Sequence, residues 1–127
     1  MTEPYEQQEI DRFILEAIDS VPHLEALLLV WGDRPRAWAD EEIAKRLYLE
    51  TAAASRILQD LARRGLIAAV PGRAKEFRYE PGERDQLLLA VEAAYRRDLV
   101  RISTMIHQKA PASVLEFARA FRFTKEK

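Results

Sequence analysis

Along residues 5–19 apolar side chains recur at helical spacing. Ile10, Phe13, Ile14, Ala17 and Ile18 form one stripe with polar residues between them. That pattern predicts an amphipathic helix. Ser20 and Pro22 mark a break and a restart, since proline is favoured in a first helical turn. A second helix is predicted over residues 22–31, with Leu24, Leu27, Leu28 and Trp31 on one side and Leu29 and Val30 extending the apolar surface around it. A helix apolar on all sides belongs in the middle of a fold. Gly32 stops it, and Asp33-Arg34-Pro35-Arg36 is a turn.

Trp38 falls in a short extended segment. A third helix starts near Asp40, which is placed to cap it, and directs Ile43, Ala44 and Leu47 inward. Tyr48-Leu49-Glu50 is a tight turn, and Thr51 is a suitable N-cap for a fourth helix ending at Gly65. Glycine there can take the left-handed conformation that closes a helix, so that Leu66 packs back. Residues 66–70 read as a strand and residues 71–75 as a hairpin loop. Residues 76–79 alternate polar and apolar, as a half-buried return strand does. Pro81-Gly82 ends the hairpin. A long fifth helix is predicted over residues 83–109, because Leu88, Val91, Tyr95, Leu99, Ile102 and Ile106 recur every three or four residues, a seam of the coiled-coil kind. Pro111 ends it, and a last helix over residues 112–121 carries Val114, Leu115, Phe117, Ala118 and Phe121. There are no internal repeats and no low-complexity segments. The fold class is mainly α with a small β-wing.

Residues 38–79 therefore contain a short helix, a tight turn, a second helix stopped by glycine, and a basic hairpin. This unit resembles the winged helix-turn-helix of bacterial transcriptional regulators, most nearly the MarR type. The matching pieces are Glu42-Ile43-Ala44-x-x-Leu47, Leu61-x-x-x-Gly65-Leu66-Ile67 and Phe77-Arg78-Tyr79, within a segment covering about a third of the chain. The resemblance implies one domain over residues 1–127. Its winged helix-turn-helix core spans residues 22–81, and the flanking helices at residues 1–20 and 83–122 pair two copies. It also implies a homodimeric, sequence-specific regulator of transcription that binds double-stranded DNA. Winged helices serve as protein-binding modules too, so a protein-protein interaction module without DNA binding stands as the alternative.

Composition narrows the picture further. The chain has 127 residues, 48% apolar and 32% charged, as suits an ordinary globular domain with a modest core. Absence of cysteine excludes disulfides and thiolate metal sites and fits a reducing compartment. Residues 1–8 are acidic and do not resemble a signal peptide, and the longest apolar run, residues 26–31, is too short to span a bilayer. A cytoplasmic protein with no membrane association is expected. The net charge of −1 hides a gradient. Residues 1–33 carry net −7, residues 34–84 net +3 and residues 85–127 net +3. Residues 55–78 alone carry net +4, where the fourth helix and the hairpin lie. Local field rather than total charge steers a polyanion, although a solvated surface accounts for the same residues without any partner.

On a helical wheel Ala54, Ile57, Leu58 and Leu61 of the fourth helix share one side and face the core. The opposite side presents Ala52, Ser55, Arg56, Gln59 and Arg63. Arginine can donate to two acceptors of guanine, and glutamine can pair with adenine in the same two-point way. Arg56 and Gln59 are thus the candidates for base edges and Arg63 for phosphate. Thr51 and Ser55 are placed for phosphates near the helix N-terminus. Ala52 and Ala53 offer no polar contact, and Asp60 repels phosphate unless it pairs with Arg56 or Arg64 one turn away. In the hairpin, Arg73, Lys75 and Arg78 are candidate phosphate contacts; charged edge strands also prevent aggregation.

The candidate dimerisation residues are Phe13, Leu88, Val91, Tyr95, Leu99, Ile102, Ile106, Phe117 and Phe121, because a chain this short has little core in which to bury so many seams. The aromatic and basic stretch at residues 117–123 could instead dock a protein partner. Trp31, Trp38, Tyr48 and Tyr95 are candidates for an apolar pocket between the winged unit and the outer helices, or for core. No catalytic motif is present, and neither a cofactor nor a metal is expected. His23 and His107 stand far apart with no ligand spacing around them. Glu41-Glu42 reads as a helix-start pair of acids.

Overall fold

A computed structural model describes residues 5–109. Six helices are found there, α1 (Gln7–Ala17), α2 (Val21–Gly32), α3 (Asp40–Leu47), α4 (Thr51–Arg63), α5 (Asp85–Arg97) and α6 (Leu99–Gln108). Three short strands accompany them, β1 (Trp38–Ala39), β2 (Ala68–Ala69) and β3 (Glu76–Arg78). The fold is mainly α with a small antiparallel sheet, as the sequence pattern predicts.

The apolar helix α2 is the centre of the molecule. It packs on α3, α4, α5 and α6, and it buries Leu24, Leu27 and Val30 completely. Ser20 caps it, its Oγ accepting from the His23 backbone N–H at 3.3 Å, and Pro22 occupies the first turn. Helix α1 lays Ile10 and Ile14 against the core. It ends at Ala17, short of the expected limit, because Ile18 turns extended and is itself buried.

Two expected caps differ. Asp40 begins α3 rather than preceding it, and the Glu42 carboxylate accepts from the Ala39 N–H at 2.9 Å in its place. Thr51 is likewise the first residue of α4, with Glu50 before it. The exit of α4 follows the expectation. Gly65 adopts φ +76°, Leu66 N–H donates back to Leu61 O at 3.0 Å, and Leu66 is buried.

The sheet order is β1-β3-β2, so the hairpin strand β3 is central. Phe77 pairs with Trp38 on one side and Ala69 on the other. Pairing with β3 gives the short Trp38 segment its extended conformation. Through Trp38 and Phe77, both buried, the wing is rooted in the core.

The single helix expected over residues 83–109 is instead two. The chain breaks at Asp98 (φ −125°, ψ 50°), which closes α5 through its N–H to Ala94 O and opens α6 through its carbonyl to Ile102 N–H. Aspartate favours such helix ends over helix interiors, because its short carboxylate competes for backbone groups. Beyond the break α6 packs on α1 and α2. The last helix predicted from sequence, residues 112–121, lies outside the described residues.

Candidate nucleic-acid interface

Helix α4 is held by its inner face. Ala54, Leu58 and Leu61 are fully buried and Ile57 nearly so, against α3 and α2. Thr51, Ala52, Arg56, Gln59 and Arg63 are therefore turned to solvent, with Ser55 partly covered. No acid lies in the first turn of α4 itself; the exposed Glu50 stands at its N-cap.

The polar groups of this face differ in their freedom. Gln59 Nε2 donates to Ser55 Oγ at 3.1 Å, within the same face. Arg63 is ion-paired with Asp60, although its side chain is 71% exposed. Arg56 makes no hydrogen bond or ion pair with any described residue. Asp60 thus pairs neither with Arg56 nor with Arg64, as its spacing suggested. Arg64 turns away to α1, donating to Asp19 at 2.8 Å and to Glu16 O at 3.1 Å.

The second partner of Asp60 is His23. Its Nε2–H donates to Asp60 Oδ2 at 2.9 Å, and Nδ1 lies 2.6 Å from the Ser20 hydroxyl. Burial opposes ionisation of Asp60, but the hydrogen bonds from His23 and Arg63 outweigh it and hold the carboxyl below its ordinary range. The acid on the recognition-type helix is therefore compensated by two donors and directed inward.

This corrects the expectation that the histidines lack neighbours of ligand type. Asp19, His23 and Asp60 bring ligand atoms within 4.8 Å of one another. Both carboxylates already have cationic partners, Arg63 on Asp60 and Arg64 on Asp19, with Lys109 Nζ 4.0 Å from Asp19. The arrangement is a hydrogen-bonded hub, and a metal ion would have to displace those cations. The local signals for it in the sequence are Asp19 and Ser20, four and three residues before His23; Asp60 is 37 residues away.

In the wing, Val70 N–H donates to Glu76 O at 2.9 Å, closing the loop that carries Arg73 and Lys75. Arg73 lies 3.4 Å from Glu76 and Arg78 3.9 Å from Glu80, both loose exposed pairs. Lys75 is exposed, stands at φ +65° at the loop exit, and has no ion-pair partner among the described residues. Tyr79 fixes the base of the wing, its hydroxyl donating to Asp85 Oδ1 at 2.7 Å at the start of α5. Burial and the Asp85 charge push the Tyr79 phenol upward. The Tyr79 hydroxyl and the Gly82 N–H hold Asp85 below the ordinary carboxylate range.

The candidate dimerisation residues divide. Leu88, Val91, Ile102 and Ile106 are buried at 0–1% exposure inside the protomer, so the seam is covered by the chain's own α1 and α2. Phe13 and Tyr95 are half-buried, and the Tyr95 hydroxyl donates to Glu25 at 3.2 Å. Leu99 is 51% exposed. Phe117 and Phe121 lie outside the described residues. Of the four proposed pocket aromatics, Trp31 and Trp38 are core, with Arg34 stacked over the first and Arg36 over the second. Trp38 and Tyr95 border a groove of about 650 Å³ with Glu25, Leu28, Arg46 and Arg96. Tyr48 stands apart from it, fully exposed.

Among the described residues no helix is long and apolar enough to cross a membrane. No protein-family model matches the sequence, and no curated protein matches it. The fold is similar to a solved structure, that of a MarR family protein from Bacillus stearothermophilus. The TM-score is 0.52 at 17% identity, over 94% of this chain and 82% of that one. With α3, α4 and the β2–β3 wing arranged as above, the chain has a MarR-like winged-helix fold.

Proposed function

We propose that this chain is a homodimeric regulator of transcription that binds double-stranded DNA in a sequence-specific manner. Helix α4 enters the major groove, and the wing tip lies against the flanking backbone. The observation that carries this reading is the outer face of α4. Arg56 is exposed and unpaired among the described residues, and the helix's one acid, Asp60, is ion-paired with Arg63 and hydrogen-bonded to His23. Arg56 and Gln59 are the base-reading candidates. Thr51, Ser55, Arg63, Arg73, Lys75 and Arg78 are the phosphate candidates. The resemblance to a MarR family structure supports the arrangement of these elements. The same reading makes the protein cytoplasmic and without catalytic activity.

Pairing of two copies is proposed through the outer helices. Four of the five large apolar side chains exposed among the described residues are Leu15, Leu89, Leu99 and Val100, all on α1, α5 and α6. These, with Phe13, Tyr95 and the terminal Phe117 and Phe121, replace the buried seam as the candidate contacts.

The alternative, a module that binds protein, draws on the pairing of Arg63, Arg73 and Arg78 with Asp60, Glu76 and Glu80, which lowers the positive field of the face. Selection of genomic fragments with the purified protein separates the two. Enrichment of a site, lost on Arg56→Ala, supports the DNA reading. No enrichment at low salt overturns it.

A further inference from the structure

Tyr48 is a residue out of place. It closes α3 in the left-handed conformation, φ +57° and ψ +48°, with its N–H bonded to Ala44 O. That position favours glycine or asparagine, because a Cβ meets the neighbouring carbonyl there. A large aromatic side chain offsets such strain when it packs, yet Tyr48 is 95% exposed and has no hydrogen-bond partner among the described residues. Neither local conformation nor packing accounts for a tyrosine.

Its position does suggest a role. Tyr48 lies in the turn between α3 and α4, just before the exposed Thr51 and Ala52. The tip of α4 offers only methyl groups at Ala52 and Ala53, so its first turn has few side-chain donors for a duplex. Lys45, one turn earlier on α3, is exposed and without an ion-pair partner among the described residues.

We infer that Tyr48 is a DNA-contact residue, its hydroxyl donating to a backbone phosphate beside the groove that receives α4. The inference rests on the DNA-binding reading above and adds to it a contact that is polar but carries no charge. The left-handed turn directs the Cα–Cβ bond of Tyr48 outward, and its 95% exposure leaves the hydroxyl open to a duplex. Such a contact strengthens binding without releasing a counterion.

The test uses the full chain and a fluorescent duplex of mixed sequence, about 30 base pairs long to span two half-sites one turn apart. Tyr48→Gly relieves the strain, and its melting temperature is expected to rise by about 2–5 °C. Its affinity for the duplex is expected to fall about tenfold per protomer, and so about a hundredfold for a dimer on both half-sites, the loss of one hydrogen bond to a charged acceptor in each. Tyr48→Phe, which keeps the ring and the backbone strain, should show most of that loss. Both variants should keep the salt dependence of the natural chain. A natural chain that binds while both variants bind equally well overturns the inference alone. A natural chain that binds no duplex at low salt overturns the DNA reading and the contact together.

Discussion

His23 Nε2 lies 2.9 Å from Asp60 Oδ2, which joins the first turn of the central helix α2 to the last third of α4. The Ser20 hydroxyl on the other ring nitrogen sets the imidazole's orientation. The pair has two consequences. It anchors α4 from behind, and it takes a carboxylate charge off the face proposed to meet phosphate. Asp60→Ala is expected to cost roughly 1–3 kcal/mol in urea unfolding at neutral pH, because it leaves His23 and Arg63 without an acceptor.

The same carboxylate gives a signed pH dependence. The folded pKa of Asp60 is below the unfolded one. Its contribution is therefore complete above the unfolded value, about 4, and is lost as pH falls through the folded value. Unfolding of the natural chain and of Asp60→Asn, followed from neutral pH down to pH about 3, should converge at the acid end. Parallel curves over that range would show that Asp60 is not stabilised in the folded state.

Tyr79 and Asp85 provide a second, separate titration. Removing the phenol hydroxyl by Tyr79→Phe takes away the strongest influence lowering Asp85. The Asp85 carboxyl, followed by carbon-detected NMR, should move up toward its ordinary range. In Asp85→Asn the Tyr79 phenol should fall only part of the way, because burial is the largest cause of its elevation. A full return to the ordinary phenol value would contradict that order.

Salt and sequence dependence separate the two parts of the proposed interface. Arg73→Ala and Lys75→Ala should weaken binding to all duplexes alike and reduce the slope of affinity against salt by about 1 per protomer, about 2 for the dimer, each. Arg56→Ala and Gln59→Ala should relax preference at particular base pairs, by about 1–3 kcal/mol where the contact is two-pronged. Wing variants that leave the slope unchanged would remove the wing from the interface.

Light scattering at micromolar concentration should give twice the chain mass. Leu99→Glu and Val100→Glu on the exposed side of α6 should reduce it to one chain with the helical signal retained, because neither residue is in the protomer core. A natural chain that is monomeric under these conditions rules out the dimer.

Much of the fold was legible in the sequence for local reasons. Helical spacing marked Ala54, Ile57, Leu58 and Leu61 as the inner face of α4, and all four are buried. Gly65 and Leu66 announced the helix exit, since the left-handed position and the apolar return are properties of adjacent residues. Alternation around Phe77 marked the return strand, and unbroken apolarity marked α2 as central. What periodicity could not do was follow a helix through Asp98. There a local bend resets the phase, leaving Leu99 exposed while Ile102 and Ile106 stay buried.

The sequence by itself determined which face of each helix is apolar, where the chain turns, and that bases gather on α4 and the hairpin. Only the tertiary structure decided what covers each apolar face and which charges remain free. The seam at Leu88, Val91, Ile102 and Ile106 reads equally as a dimer contact or as core, because its spacing is the same whichever surface lies against it. It is covered because α5 and α6 both pack on α1 and α2 of the same chain. Asp60 had arginines one turn away on both sides, yet its second partner is a histidine 37 residues distant. Helical spacing lists the neighbours a side chain can reach along its own helix. Which groups from other helices arrive beside it depends on how those helices pack, and that packing leaves Arg56 unpaired among the described residues.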